Sequence, residues 1–394
     1  FQVAELQLRL GDRNAAEESY KKAMALNPTL PSPPLRLADL CATTERTDEA
    51  IRLVENYMEQ NPPTTPNALV ESCGRLRRYY AAKEDPEGFV AFAEAYARAN
   101  PPQARDIKLY LFEVARAEKQ YDRAEKVIKE LIAEDEDSAT LQVRALMLAY
   151  DQERFADILA MEELQAADTI ALIDRVLWHG MRGEAFLRDH QFVRALDELK
   201  TTYGFMRQQE AQRQTVPAAV RRSVYQLRWA AAMRAAEATS NPDIENEALA
   251  YAEEYSGFAR QINSEQDRIL AAAFRGWTLF KLKHDVKAAM ALIEPAALAL
   301  PENGMPKYYL GVILIETGDI ARGVALVQQA LELDLSVLDE EDAKALLEKY
   351  KDYIVEEPAE PAEPETDEES APVTTPAAPE GLSVDTEADT SEDE

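Results

Sequence analysis

The chain has 394 residues and a formal net charge of −30, with 13 Gly, 21 Pro and two Cys. It is too long for one ordinary globular core, two cysteines cannot build a disulfide framework, and no run of 18 apolar residues offers a membrane span. The acidic balance disfavours nucleic acid and anionic membrane surfaces as partners.

The first pattern along the chain is a repeat. Asn27-Pro28 returns as Asn61-Pro62, 34 residues later, and Ala16, Tyr20 and Ala23 return as Ala50, Val54 and Tyr57. A period of 34 predicts stacked helical hairpins, each burying one face on its neighbour. Small residues sit where two helices cross closely, and Pro ends the second helix because it lacks an N–H and clashes with the preceding turn.

In chain order the pattern predicts hairpins over 1–30, 31–64, 65–101, 102–136, 137–166, 167–212, 213–263, 264–302 and 303–335. With Gly11 as the first turn, Phe1 falls inside a helix, which predicts a piece of a longer polypeptide. The third hairpin is lengthened around Glu84-Asp85-Pro86. The fifth is short, so a kink is expected near 137–170. Asn241-Pro242-Asp243 marks the inner turn of the seventh.

Asp339–Val355 reads as one more amphipathic helix, with Asp339 as N-cap and an apolar stripe of Leu346, Leu347, Tyr350 and Ile354. It is expected to cap the last hairpin, over 336–355. Residues 356–394 hold 15 Asp and Glu, no Lys or Arg and no aromatic residue, so half of the net charge lies in a tenth of the chain. That composition predicts disorder. Such a segment acts as a solubilising acidic tail or as a docking arm for a basic partner.

The clearest single repeat is Tyr308-Tyr309-Leu310-Gly311, followed by Leu314, Gly318, Gly323, Val327 and Ala330. Two others share its 12-residue spacing from Gly to a small residue, Gly183 to Ala195 and Gly276 to Ala288. On these residues 1–335 resemble an array of tetratricopeptide repeats. The resemblance implies an all-α, right-handed α-solenoid whose first helices line a concave face. It also implies a role in binding protein segments. Positions matching the family's clamp for chaperone C-termini carry Leu35, Asp39, Leu109 and Glu113, which cannot hold a carboxylate.

Signals for chemistry are weak. There is no Gly-rich phosphate loop, paired-His zinc motif, nucleophile elbow or CxxC. His179, His190 and His284 read as structural or solvated, and Cys41 and Cys73 as small buried fillers. The run Glu134-Asp135-Glu136-Asp137 reads as a helix boundary, since it lacks the Gly and alternating ligands of a calcium loop. No metal, cofactor or small-molecule substrate is expected.

The expected groove for a partner lies on the first helices of the last two hairpins: Trp277, Phe280, Lys281, Tyr308, Val312 and Ile315. Aromatic residues beside a lysine suit a peptide or an amphipathic helix. Arg36, Arg75, Arg77, Arg78 and Arg116 are a second candidate, a basic strip for an acidic peptide. The leading expectation is a non-catalytic scaffold for a protein or peptide partner. The alternatives are the repeat region of a larger enzyme or regulator with its catalytic domain upstream, and an assembly or secretion factor of a bacterial cell envelope. The compartment stays open between cytoplasm and periplasm.

Overall fold

The structure is a computed structural model and describes residues 1–162, 164, 170–333 and 335–354. Among them are nineteen α-helices and no strand. The first ten are α1 (Gln2–Arg9), α2 (Arg13–Leu26), α3 (Ser32–Thr43), α4 (Thr47–Gln60), α5 (Pro66–Ala82), α6 (Pro86–Ala99), α7 (Pro101–Ala117), α8 (Tyr121–Glu134), α9 (Ala139–Asp151) and α10 (Phe155–Ala160). The rest are α11 (Leu172–Arg188), α12 (Phe192–Ala211), α13 (Ala218–Thr239), α14 (Pro242–Gln261), α15 (Glu265–Lys283), α16 (Val286–Ala299), α17 (Gly304–Glu316), α18 (Ile320–Leu331) and α19 (Val337–Lys349).

Local chemistry sets these boundaries. The side chains of Asp12, Thr65, Asp85, Ser264, Asp285 and Ser336 each accept the N–H three residues on, satisfying a donor that a helix start leaves open. Pro stands in the first turn of α5, α6, α7 and α14, where its missing N–H is harmless. The turn inside each hairpin needs one left-handed residue, supplied by Gly11 and Gly318 at the two ends of the array. Between them Glu45, Glu84, Lys119, Glu153, His190, Ser240 and His284 take the same conformation at φ between 50° and 62°.

A second rule governs the crossing of the two helices. The residue four past the second helix's N-cap is buried in hairpin after hairpin: Ala16, Ala50, Phe89, Ala124, Ile158, Ala195, Ala289 and Gly323. Gly311 and Gly323 approach so closely that a Cβ on Gly323 would stand 2.6 Å from the Gly311 carbonyl oxygen. In the hairpin of α15 and α16 only His284 and Asp285 separate the helices, because α15 runs on to Lys283. Gly276 faces Ala289 and Ile293 instead of the expected Ala288.

First helices touch one another along the stack: α3 meets α5, α5 meets α7, α9 meets α11, and α13 meets both α11 and α15, with α15 meeting α17. In a curved row, the elements that lean closest together lie on the inside, so the first helices line the concave face. The apolar interior falls into four clusters. One joins the first three hairpins to α7, two smaller ones fill the middle around α8 and α10, and the largest runs from α11 to α19.

The last helix departs from expectation in its bounds. It starts at Val337 with Ser336, not Asp339, as its cap, because the Ser336 hydroxyl takes the Asp339 N–H. It ends at Lys349, and a 3₁₀ turn follows over Lys351–Tyr353. The acidic tail expected over 356–394 lies outside the described residues, as does part of the stretch at 137–170. None of the described helices is long and apolar enough to cross a membrane.

Candidate functional site

The concave face has two unlike halves. On the N-terminal half, charged side chains bridge successive first helices. Glu5 meets Arg36 at 3.5 Å, Asp39 meets Arg75 at 3.2 Å and the Tyr79 hydroxyl at 2.6 Å. Further along, Glu113 meets Arg144 at 3.2 Å and Arg116 meets Asp151 at 2.8 Å. The candidate basic strip is thus no strip of free cations. Arg78 also reaches Asp39 at 3.7 Å and Arg77 reaches Glu118 at 3.9 Å. The 34-residue period brings acids of neighbouring hairpins into register with these arginines. Asp39 and Glu113, on the positions of the chaperone clamp, are engaged by arginines of their own chain.

The C-terminal half is aromatic and closed. Trp229 stacks on Phe274 with ring centres 4.0 Å apart and donates its indole N–H to Thr278 at 3.0 Å. Trp277 stacks on Tyr309 at 4.4 Å. Tyr255 and Tyr225 continue the series toward α11. Arg228, 3% exposed, lies between the rings of Tyr203 and Tyr251, 3.5 and 4.0 Å from their centres, and pairs with Glu254. Beside it, buried Asp267 accepts two bonds from Arg222 at 2.7 and 2.8 Å and one from Tyr255 at 2.5 Å. Burial alone would raise the Asp267 carboxyl, but Arg222, the Ser264 cap and Tyr255 outweigh it and hold the group at about 2.

The six expected groove residues come together here, but not as an open surface. Trp277 lies against Phe280 and Tyr308 at 5.7 and 6.0 Å, and Val312 and Ile315 belong to the same cluster. All five are at most 7% exposed. Lys281 alone stays half open, with its ammonium 5.0 Å over the Trp277 ring and 3.4 Å from Glu316. These aromatics fill the seam between hairpins, and α19 packs on α17 and α18 at the end of the same core.

Nothing in the sequence pattern disclosed how α19 sits. Arg234, on α13, reaches Asp339 at 3.2 Å and Asp342 at 2.6 Å. Glu341 approaches His190, in the turn between α11 and α12, at 3.7 Å. Asp339 is 8% exposed, Ala343 is fully buried, and Leu346, Leu347 and Tyr350 lean on the same core. The helix therefore folds back from the last hairpin across the concave face as far as the sixth. Burial raises the Asp339 carboxyl, with Arg234 opposing. Burial likewise raises the Tyr308 phenol, and the carboxylates of Asp339 and Asp342 add to the effect.

Residues 7–69 match the sequence profile described as tetratricopeptide repeat. The chain carries tetratricopeptide repeats. The matched repeats are α2 to α4 with the parts of α1 and α5 that flank them, and the later hairpins repeat their turn and crossing rules. No curated protein matches the chain. Among solved structures, a Naa15/Naa10 complex bound to HypK-THB is 14% identical over 88% of this chain and 60% of that one, with a TM-score of 0.32. A human IFIT1 dimer with m7Gppp-AAAA is 13% identical over 88% and 80%, with a TM-score of 0.41. The tetratricopeptide-repeat domain of P58(IPK) is 11% identical over 89% and 98%, with a TM-score of 0.26.

The remaining reactive groups are tied up. His179 shares a bond of 2.6 Å with Glu198, which also meets Arg182 at 3.3 Å, and its ring stacks on Phe205. His190 and His284 occupy the left-handed turn positions of their repeats. Burial pushes the Cys73 thiol up to about 12, where it is a poor nucleophile, and raises Cys41 as well. Among the described residues no three His, Cys, Asp or Glu group as a metal site.

Proposed function

We propose that this chain is a non-catalytic scaffold that holds a helical segment of a protein partner on the concave face of its repeats. A repeat array of this family is an interaction fold, and its groove is the surface such arrays offer to partners. The observation that carries the reading is α19. The groove already receives an amphipathic helix, meeting two of its acids with Arg234 and one of its small residues with a fully closed seat.

The test is position-resolved cross-linking in cells of origin. A photo-reactive residue replaces Lys281 or Arg78 on first helices, or Lys129, which is exposed on the second helix α8. Defined intermolecular protein adducts at the first two positions and not at Lys129 are expected. The same adducts at all three positions, or none at any, reject the reading.

A further inference from the structure

The groove under α19 reads as a docking site with its own recognition chemistry. This rests on the reading that the concave face holds a protein helix. Three features of the seat are selective. The first is Arg234, 22% exposed, which takes one carboxylate from each of two residues three apart, Asp339 and Asp342. On a helix such a pair faces one way, and a guanidinium serves two carboxylates better than an ammonium does. The second is the place of Ala343, where no side-chain atom is exposed and a longer side chain has no room. The third is the apolar shelf met by Leu346 and Leu347.

The way α19 is held differs from the way the other helices are held. Each of α1 to α18 packs against a hairpin partner. The helix α19 has none; it packs on α18 and α17 of the last hairpin and reaches Arg234 of α13 through its acids. Its Asp339 is a buried carboxylate whose ionised form burial disfavours. A cavity of about 540 Å³, lined by Glu237, Phe280, Lys281 and Glu316 among others, adjoins this seat along the ends of α13, α15 and α17. A helix longer than α19 has space to continue there.

We infer that α19 is the internal occupant of this groove, and that the partner is a protein helix bearing two acids three residues apart, then a small residue and a leucine pair, which takes α19's place on Arg234. The pattern to be matched is Asp339, Asp342, Ala343, Leu346 and Leu347. A tethered helix acts at an effective concentration on the order of millimolar. The resident helix therefore masks the groove from weak acidic segments and yields to one that fits the whole seat.

The probe is a fluorescent synthetic peptide spanning residues 336–354, titrated against the full chain by fluorescence polarisation. Three chains are compared: unaltered, Asp339→Asn with Asp342→Asn, and that pair with Arg234→Met. Weakening the internal acids should raise peptide affinity at least about tenfold over the unaltered chain. Arg234→Met should remove the gain, and a peptide carrying the same two Asn substitutions should not bind the released groove. Hydrogen exchange on the same chains guards against misfolding. In the double variant, α19 should lose protection while α17 and α18 keep theirs.

Equal peptide affinity in all three chains overturns the inference. So does loss of protection throughout α17 and α18, which makes α19 a plain structural cap. Concave cross-links that persist while the peptide fails reject only this partner chemistry. Their absence rejects the scaffold reading itself.

Discussion

The two halves of the concave face solve the same problem with different materials. In the N-terminal half, neighbouring first helices are joined by carboxylate–guanidinium pairs that stay partly exposed. In the C-terminal half they are joined by stacked rings, with a buried arginine tying α13 to α12 and α14 and a last helix reaching back to Arg234. Exposed pairs contribute about 0–1 kcal/mol each, whereas burying one aromatic side chain contributes several times that. The first half therefore keeps an open, polar groove of modest cohesion. The second half has a rigid seat, and a rigid seat is what selective recognition of a helix needs.

The sharpest way to break this contrast is to cut into the aromatic side. Trp229→Ala removes a ring stacked on Phe274 and orphans the Thr278 acceptor. It should cost about 3–5 kcal/mol, read as loss of hydrogen-exchange protection in α13 to α18 while α3 to α6 stay protected. Equal loss in both halves would mean that the array unfolds as one unit.

Acid separates the halves as well. Asp267 titrates at about 2 in the folded chain, below the ordinary unfolded value near 4. Its contribution is fully present above about pH 4 and is lost as pH falls through 2, because only the unfolded chain takes up the proton in that window. The expected loss is about 2 kcal/mol, confined to the hairpins of α13 to α16. Asp267→Asn should flatten that part of the profile in urea titrations between pH 4 and pH 2.

The crossing of α17 and α18 gives an effect of similar size with an unusual sign. Gly323→Ala improves helix propensity by about 1 kcal/mol. It nevertheless places a methyl group 2.6 Å from a backbone oxygen of Gly311 and 2.6 Å from Ile315. Net destabilisation of about 1–3 kcal/mol is expected. Gly204→Ala, on α12 with nothing within 4 Å of the added carbon, should stabilise by up to about 1 kcal/mol. Thermal melts of the two variants should move in opposite directions.

The smallest effect belongs to the polar side. Arg36→Ala breaks the pair with Glu5, whose partners are 52% and 23% exposed. It should cost under about 1 kcal/mol, a cost that fades at high salt. A larger loss that ignored salt would show that the N-terminal ladder is structural after all.

The hairpin architecture was legible because it is local. A turn residue, a following cap, a small residue four further on and a Pro at the end are all read within 34 residues. The groove was legible only as a collection of side chains. Trp277, Phe280 and Tyr308 lie together in the structure, but spacing along a first helix does not say whether a ring faces solvent, the next hairpin or a covering helix. The decisive contact joins Arg234 to Asp339, 105 residues apart, and no periodicity links them. The basic strip failed for a related reason. Each arginine was visible, while the acid that answers it comes from a neighbouring repeat, before or after its own.

The division of the interior into four apolar clusters carries a mechanical consequence. Among the described residues the two central clusters around α8 and α10 are the smallest, so tension along the array is not expected to be shared evenly. Those coils part first, and the molecule lengthens at its waist while both ends keep their shape.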